Sequence, residues 1–400
     1  MFLQPKSFKM VGSEQDRNAR IGCASPRERG GDPMNFAKNV ARGLAAALVV
    51  MPISGLAKEL KYNTYQPGTH QVTKNTASFG EALSEATGGD LSIDVLSGGA
   101  VASGKATLSF ISDGLIDAGL VTDVYVPGDL PHTVIASSLA LEGESSWVMA
   151  AAMAEYAMLK CPGCQEDLDE MGVINLGFQS TSTYKLLCNN EISGIEDLQG
   201  KKIKAAGPWS RLVVSWGAAP VNIPFNDVYE GMQRGQIDCA LAPDSAMEDY
   251  GLYDVVKTVV DLPMGTYHGF HSFVLNRDVW DGLPEEQSAL ILDKMPGYIT
   301  KNVQAYHDSS EVSKAKAIEN GTVYTQAGAD LKASIAAAKE EGRKISLENA
   351  HKQGIDTPEE NLETFLAILS KWTGLLGTDA PDPARYEELL RENVYSKVSF

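Results

Sequence analysis

Residues 202–211 read KIKAAGPWSR, and three of them have the types and spacing of an anion site. Lys204 closes a predicted strand, Gly207 and Pro208 turn the chain, and Trp209 and Arg211 open a predicted helix. A cation set beside the free N–H groups of a helix N-terminus attracts a carboxylate or phosphate, and the indole offers a flat apolar wall. The competing reading makes Lys204 and Arg211 two solvated surface charges.

Acidic residues form a second constellation. Gly114-x-Ile116-Asp117-x-x-Leu120-x-x-Asp123 returns as Gly235-x-Ile237-Asp238-x-x-Leu241-x-x-Asp244. Each copy predicts a helix that ends at a left-handed Gly and drops into a strand, whose C-terminal end carries Asp123 or Asp244. Ligands of open parallel sheets sit outside the carboxyl ends of strands, so two such ends facing each other across a cleft make a clamp. Either aspartate could instead cap a neighbouring turn.

Other chemistries find less support. Gly99 to Ala106 approaches the phosphate-loop pattern, but Ala106 stands where a Mg²⁺-binding hydroxyl is needed. Neither G-x-S-x-G nor H-E-x-x-H occurs. His268 and His271 lack an evident third ligand, which favours pocket lining or packing over a metal. No cofactor is expected. The net charge of −18 disfavours nucleic acid and anionic membrane surfaces as partners.

The elements that must position these residues alternate. ELKYNTYQ, DLSIDVLSGG and LIDAGLVTD read as strands, separated by helices at QVTKNTASFGEALSEATGG and KATLSFISDG. KLLCNN, KKIKAAG, APVNIP and QIDCALAP repeat that rhythm with helices between them. Such an order specifies an α/β chain with mostly parallel sheets flanked by helices, and 400 residues suit two domains. After about residue 277 the chain is mainly helical, as a packed outer layer or as long helices bracing two lobes.

The segment from Met34 places Lys38 and Arg42 before an apolar stretch and small residues Gly55 and Ala57, the pattern of a secretory signal peptide cleaved after Ala57. Residues 1–33 then read as an upstream extension that is not part of the native start, and 34–57 as the signal peptide. Export leaves Cys161, Cys164, Cys188 and Cys239 in a compartment where disulfides persist. Four cysteines allow three pairings, of which Cys161–Cys164 with Cys188–Cys239 is favoured. A redox dithiol at CPGC would need an activating strand-to-helix setting that the sequence does not supply.

The run ISGIEDLQGKKIKAAG, then WGAAPVNIPFNDVYEGMQRGQID, Pro243 and VWDGLPEEQ resembles the solute-binding proteins of tripartite ATP-independent periplasmic (TRAP) transporters. QPGTH, GEALSEATGGDLSIDVLSGG and FISDGLIDAGLVTD fit as well, so the likeness covers about residues 58–400. It implies a two-lobed fold of the type II periplasmic-binding-protein kind, with strand crossings and a long hinge-spanning helix. The lobes are expected at 58–182 plus about 270–310, and at 183–269 plus about 311–400 with the C-terminal helices. On this alignment Cys188 and Cys239 fall on adjacent strands, which supports their pairing.

The resemblance also implies function: a periplasmic monomer, not an enzyme, that closes over a small organic acid and passes it to one small and one large membrane subunit. Lys204, Trp209, Arg211, Tyr184, Tyr267 and Asp244 are the expected ligand-facing residues of one lobe, and Tyr65, Gln66, His70 and Asp123 those of the other. The family usually has an Arg where this chain has Lys204, an Asn at Ala242 and a Gly at Cys239. A lysine lacks the planar fork that reads a carboxylate, so either the clamp is looser or Arg211 has taken it over. Alternatively, Asp123, Asp244 and the aromatic residues surround the ammonium of a zwitterionic or cationic ligand. The same fold presented to a receptor would be a sensory protein.

Overall fold

The computed structural model describes residues 57–143, 145–377 and 379–400. The expected signal segment and the extension before it lie outside the described residues, up to Ala57.

Among the described residues twelve strands form two six-stranded sheets. The first holds β1 (Lys58–Asn63), β2 (Leu91–Leu96), β3 (Ala118–Thr122), β4 (Val173–Asn175), β5 (Phe178–Gln179) and β11 (Phe270–Asn276). The second holds β6 (Lys185–Cys188), β7 (Lys202–Lys204), β8 (Ala219–Val221), β9 (Cys239–Ala242), β10 (Thr258–Val260) and β12 (Val323–Thr325). In the first sheet β2, β1 and β3 run parallel, and β11 lies antiparallel to β3, β4 and β5. In the second, β8, β7 and β9 run parallel and β6 antiparallel between β9 and β10. The sheets are therefore mixed. β6 and β11 are each reached by crossing from the other sheet and enter against their neighbours' direction, whereas β12, reached by the return crossing after β11, runs parallel to β10. β3 and β11 are buried along their whole length, as central strands are, and β11 carries the polar His271, Ser272 and Asn276 among its apolar residues.

The repeated motif has one structural meaning in both sheets. Gly114 and Gly235 take φ of 68° and 66°, the left-handed turn that only glycine adopts without strain. Asp117 then accepts from the Lys61 backbone N–H at 2.8 Å, as Asp238 does from that of Lys202 at 2.8 Å. Each aspartate thus ties the start of one strand to its parallel neighbour. Ile116 and Ile237 fill the core beneath.

Two crossings lie side by side. Between β5 and β6, Thr181 donates its backbone N–H to Tyr267 O and Tyr184 to Gly265 O, both at 2.8 Å, while Met264 N–H returns to Tyr184 O at 3.0 Å. A third connection is the helix Glu285–Glu319, which packs against the helix Gln71–Ala86 of the first sheet and the short helix Ala246–Asp249 beside the second. Sequence punctuation does not reveal its length, because Pro296, a residue that ordinarily ends or kinks a helix, sits inside it.

The C-terminal helices depart from their expected grouping. Pro358–Leu376 packs on Ser146–Glu155 and Pro131–Ser137, and Pro383–Leu390 on the long helix, so they thicken the first sheet's side. Trp372 is the anchor: it is fully buried, and its indole N–H donates to Glu155 at 2.7 Å. Both disulfides, Cys161–Cys164 and Cys188–Cys239, are formed. Cys188 and Cys239 face each other directly across β6 and β9 with Cα atoms 4.0 Å apart, as in a close antiparallel pair. Among the described residues no helix is long and apolar enough to cross a membrane.

Candidate functional site

Two adjoining cavities open between the sheets. The first, about 30 Å³, is lined by Tyr65, Tyr125, Thr122 and Val124 from one side, Lys204, Trp209 and Phe225 from the other, and Tyr184 and Tyr267 from the crossings. The second, about 20 Å³, shares Tyr65, Tyr184, Phe225 and Phe270 with it and adds His70, Ser245, Asp249, Tyr250 and Tyr306. Both are narrow, so the two sides stand close together here, and aromatic walls with a few convergent polar groups are the usual lining of small-molecule sites.

Lys204 ends β7 and is 4% exposed. Its Nζ lies 3.9 Å from the centre of the Phe225 ring, a cation–π contact, and burial alone pulls its pKa from 10.5 to about 7. No acidic side chain pairs with it among the described residues. Trp209 stands one turn further on, at the start of the helix Pro208–Ser215, and is fixed by donating its indole N–H to Met264 O at 2.7 Å. Its ring stacks on Tyr184 at 4.3 Å and 16°. Tyr65 is held by a 3.0 Å hydrogen bond between its hydroxyl and that of Thr122. The polar handles of Trp209 and Tyr65 are thus already used, leaving their faces to the cavity.

Other expected residues sit elsewhere. Arg211 lies two residues beyond Trp209, and at about 100° per helical residue the two side chains point to opposite sides. It lines a separate cavity of about 270 Å³ against the helix Ala329–Lys352, where its Nη2 has no hydrogen-bond partner. Burial lowers its pKa and Glu341 partly restores it. Arg211 therefore does not replace the missing fork beside Lys204.

Neither aspartate of the repeat lines the two adjoining cavities. Asp123 is fully buried beneath Tyr267, whose hydroxyl donates to it at 2.6 Å, and burial raises its pKa to about 6. Asp244 is spent on Lys185 Nζ at 2.6 Å and on the Tyr324 hydroxyl at 2.7 Å, with Asp261 and Lys314 completing the network. Gln66 is buried just outside, its amide donating to the Tyr306 hydroxyl at 3.2 Å. His268 and His271 are core residues, and His271 packs on Phe178 with ring centres 4.6 Å apart.

His70 does reach the second cavity. It caps the helix Gln71–Ala86, accepting from the Val72 N–H at 3.1 Å, and its Nε2 is 3.6 Å from Asp249 Oδ2 on the opposite side. That spacing would suit an ion pair, but burial moves the two apart in the wrong sense, His70 down to about 3 and Asp249 up to about 7. The contact is between a neutral imidazole and a carboxyl group that titrates near neutrality. Asp249 and Ser245 carry no signal in the sequence, because the repeated pattern ends at Asp244. Ser245 is the next residue along the same strand end and faces the cavity that Asp244 turns away from.

Comparison with known proteins decides what kind of molecule carries this chamber. The profile of bacterial extracellular solute-binding protein family 7, DctP, matches residues 62–349. The chain belongs to this family. Among its relatives this solute-binding protein is 22% identical over 260 residues to a solute-binding protein of Albidiferax ferrireducens, covering 64% of the present chain and 72% of that one. Its fold is that of a TRAP periplasmic solute-binding protein of Bordetella bronchiseptica holding mandelate, with TM-score 0.69, 22% identity, and 78% and 99% of the two chains covered. It matches equally the TRAP solute-binding protein of Rhodoferax ferrireducens with copurified benzoate, with TM-score 0.71, 16% identity, and coverage of 80% and 99%. The family 7 protein here places its chamber between the two sheets, at the carboxyl ends of β3, β7 and β9.

Proposed function

We propose that this solute-binding protein captures a small aromatic carboxylate in the chamber and hands it to the membrane subunits of a TRAP transporter from the periplasm, without turning it over. One observation carries the reading: Lys204 is a buried lysine without an acidic partner, set in a cavity walled by Tyr65, Tyr125, Tyr184, Trp209, Phe225 and Tyr267. An ammonium in that position lacks a counterion that a ligand carboxylate supplies, and flat aromatic walls favour a flat apolar body. Closure follows from the same geometry, since a ligand touching Lys204 and Tyr65 at once stabilises only the arrangement in which both sides meet. The aromatic acids bound by the two solved relatives agree with this class of ligand.

Calorimetric titration of the mature protein with benzoate, phenylacetate and succinate tests the proposal. The aromatic acids should bind and raise the melting temperature, and Lys204→Met should abolish both effects. Binding of none of the three, or undiminished binding to the variant, would overturn it.

A further inference from the structure

The second cavity holds polar groups that the carboxylate does not use. Asp249 is 4% exposed and Ser245 1% exposed, both line the cavity, and neither Asp249 Oδ1 nor Ser245 Oγ makes a hydrogen bond of normal length, although the Ser245 hydroxyl and the Gln71 N–H lie near enough to the carboxyl group to favour its charged form. The other oxygen, Oδ2, faces His70. Buried carboxylate oxygens are rarely left unpaired, and four aromatic rings stand around this one: Tyr250, Tyr306, Phe225 and Phe270. His70 cannot serve as the countercharge, because its Nδ1 is an acceptor for the Val72 N–H and its environment keeps the ring neutral. The geometry points to a distal subsite that takes a protonated amine: Asp249 Oδ1 and Ser245 Oγ receive its N–H groups and the aromatic faces its charge.

The ligand class is thereby narrowed to an aromatic carboxylate with a basic nitrogen at its far end, its two charges matched by Lys204 and Asp249 at opposite ends of one aromatic chamber. This rests on the carboxylate reading of Lys204, and the two are tested separately.

The test is a titration with paired probes: para-aminomethyl benzoate against para-methyl benzoate, and para-aminoethyl benzoate against para-ethyl benzoate, with para-hydroxymethyl benzoate as a neutral donor. In the wild type at least one amine should bind ten or more times more tightly than its amine-free partner and than the hydroxymethyl probe. Asp249→Asn, which removes the charge and keeps a carbonyl oxygen of the same reach, should bring that ratio to about one while leaving the amine-free acid unchanged. Ser245→Ala should lower the ratio to a smaller degree. Amine-free acids that bind as tightly as the amines overturn the distal subsite and leave Lys204 intact. A hydroxymethyl probe equal to the amine overturns the charge recognition. Failure of every probe removes the carboxylate reading as well.

Discussion

Replacing Lys204 by Met should have opposite effects on the empty and the loaded protein. In the empty chamber the ammonium has lost its water without gaining a counterion, and a pKa lowered from 10.5 to about 7 corresponds to about 5 kcal/mol at 1.36 kcal/mol per pH unit. Relaxation and water entry reduce the recoverable part, so a gain of roughly 2 kcal/mol is a fair expectation for the variant. Met has nearly the same length and apolar stem, so little packing is lost. For a chain of this size, that gain lifts the melting temperature by a few degrees. The sign with pH is fixed: the folded wild type binds fewer protons than the unfolded chain between pH 7 and 10.5, so its stability climbs through that window. The advantage of Lys204→Met is largest at pH 6 and vanishes above about pH 10.5. With saturating benzoate the order reverses, because the wild type gains a buried charge pair worth about 2–5 kcal/mol that the variant cannot form. Scanning calorimetry at pH 6 and pH 9, with and without benzoate, reads all four corners. A variant that melts below the wild type without ligand at pH 6, yet is still stabilised by benzoate, would refute the assignment of Lys204 as the unpaired cation.

Three further outcomes are expected. The dissociation constant for benzoate should be flat below about pH 7 and weaken up to tenfold per pH unit above it, as Lys204 loses its proton in the free protein; calorimetry should register proton uptake on binding over that range. Changing Cys188 and Cys239 together to Ala should cost about 4 kcal/mol by the chain-entropy relation, since the bond closes a loop with a sequence separation of 51, measured as a shift in the urea midpoint. Asp238→Ala should destabilise by about 1 kcal/mol through the lost bond to the Lys202 N–H and leave benzoate affinity unaltered, because Asp238 lies at the far end of β9 from the chamber.

Much of the architecture was readable because local signals agreed with one another. Gly114 and Gly235 announce left-handed turns, and the apolar runs after them become buried strands. The aromatic residues near strand ends, Tyr65, Tyr184, Trp209 and Tyr267, share the first cavity with Lys204 because the strand-end rule fixes where chains stop. The same rule does not tell which way an end residue turns. Asp244 rotates toward Lys185 and Tyr324, and its neighbour Ser245 takes the cavity. Arg211 illustrates the second blind spot, for proximity in sequence to Trp209 becomes opposition once the segment winds into a helix. Asp249 lies on a short helix whose orientation depends on contacts with the long helix Glu285–Glu319, which are long-range and leave no trace in local sequence.

The paired backbone bonds between Thr181–Tyr184 and Gly265–Tyr267 stitch the two crossings into a narrow ribbon. A ribbon resists shear but twists readily, so rotation about it, with bending of the long helix Glu285–Glu319, is the motion that would part the halves. Tyr184 and Tyr267 ride on that axis. Under the proposed reading an arriving solute would meet this aromatic sill at the pivot, with Lys204 and Asp249 together on one arm and Tyr65 and His70 closing from the other.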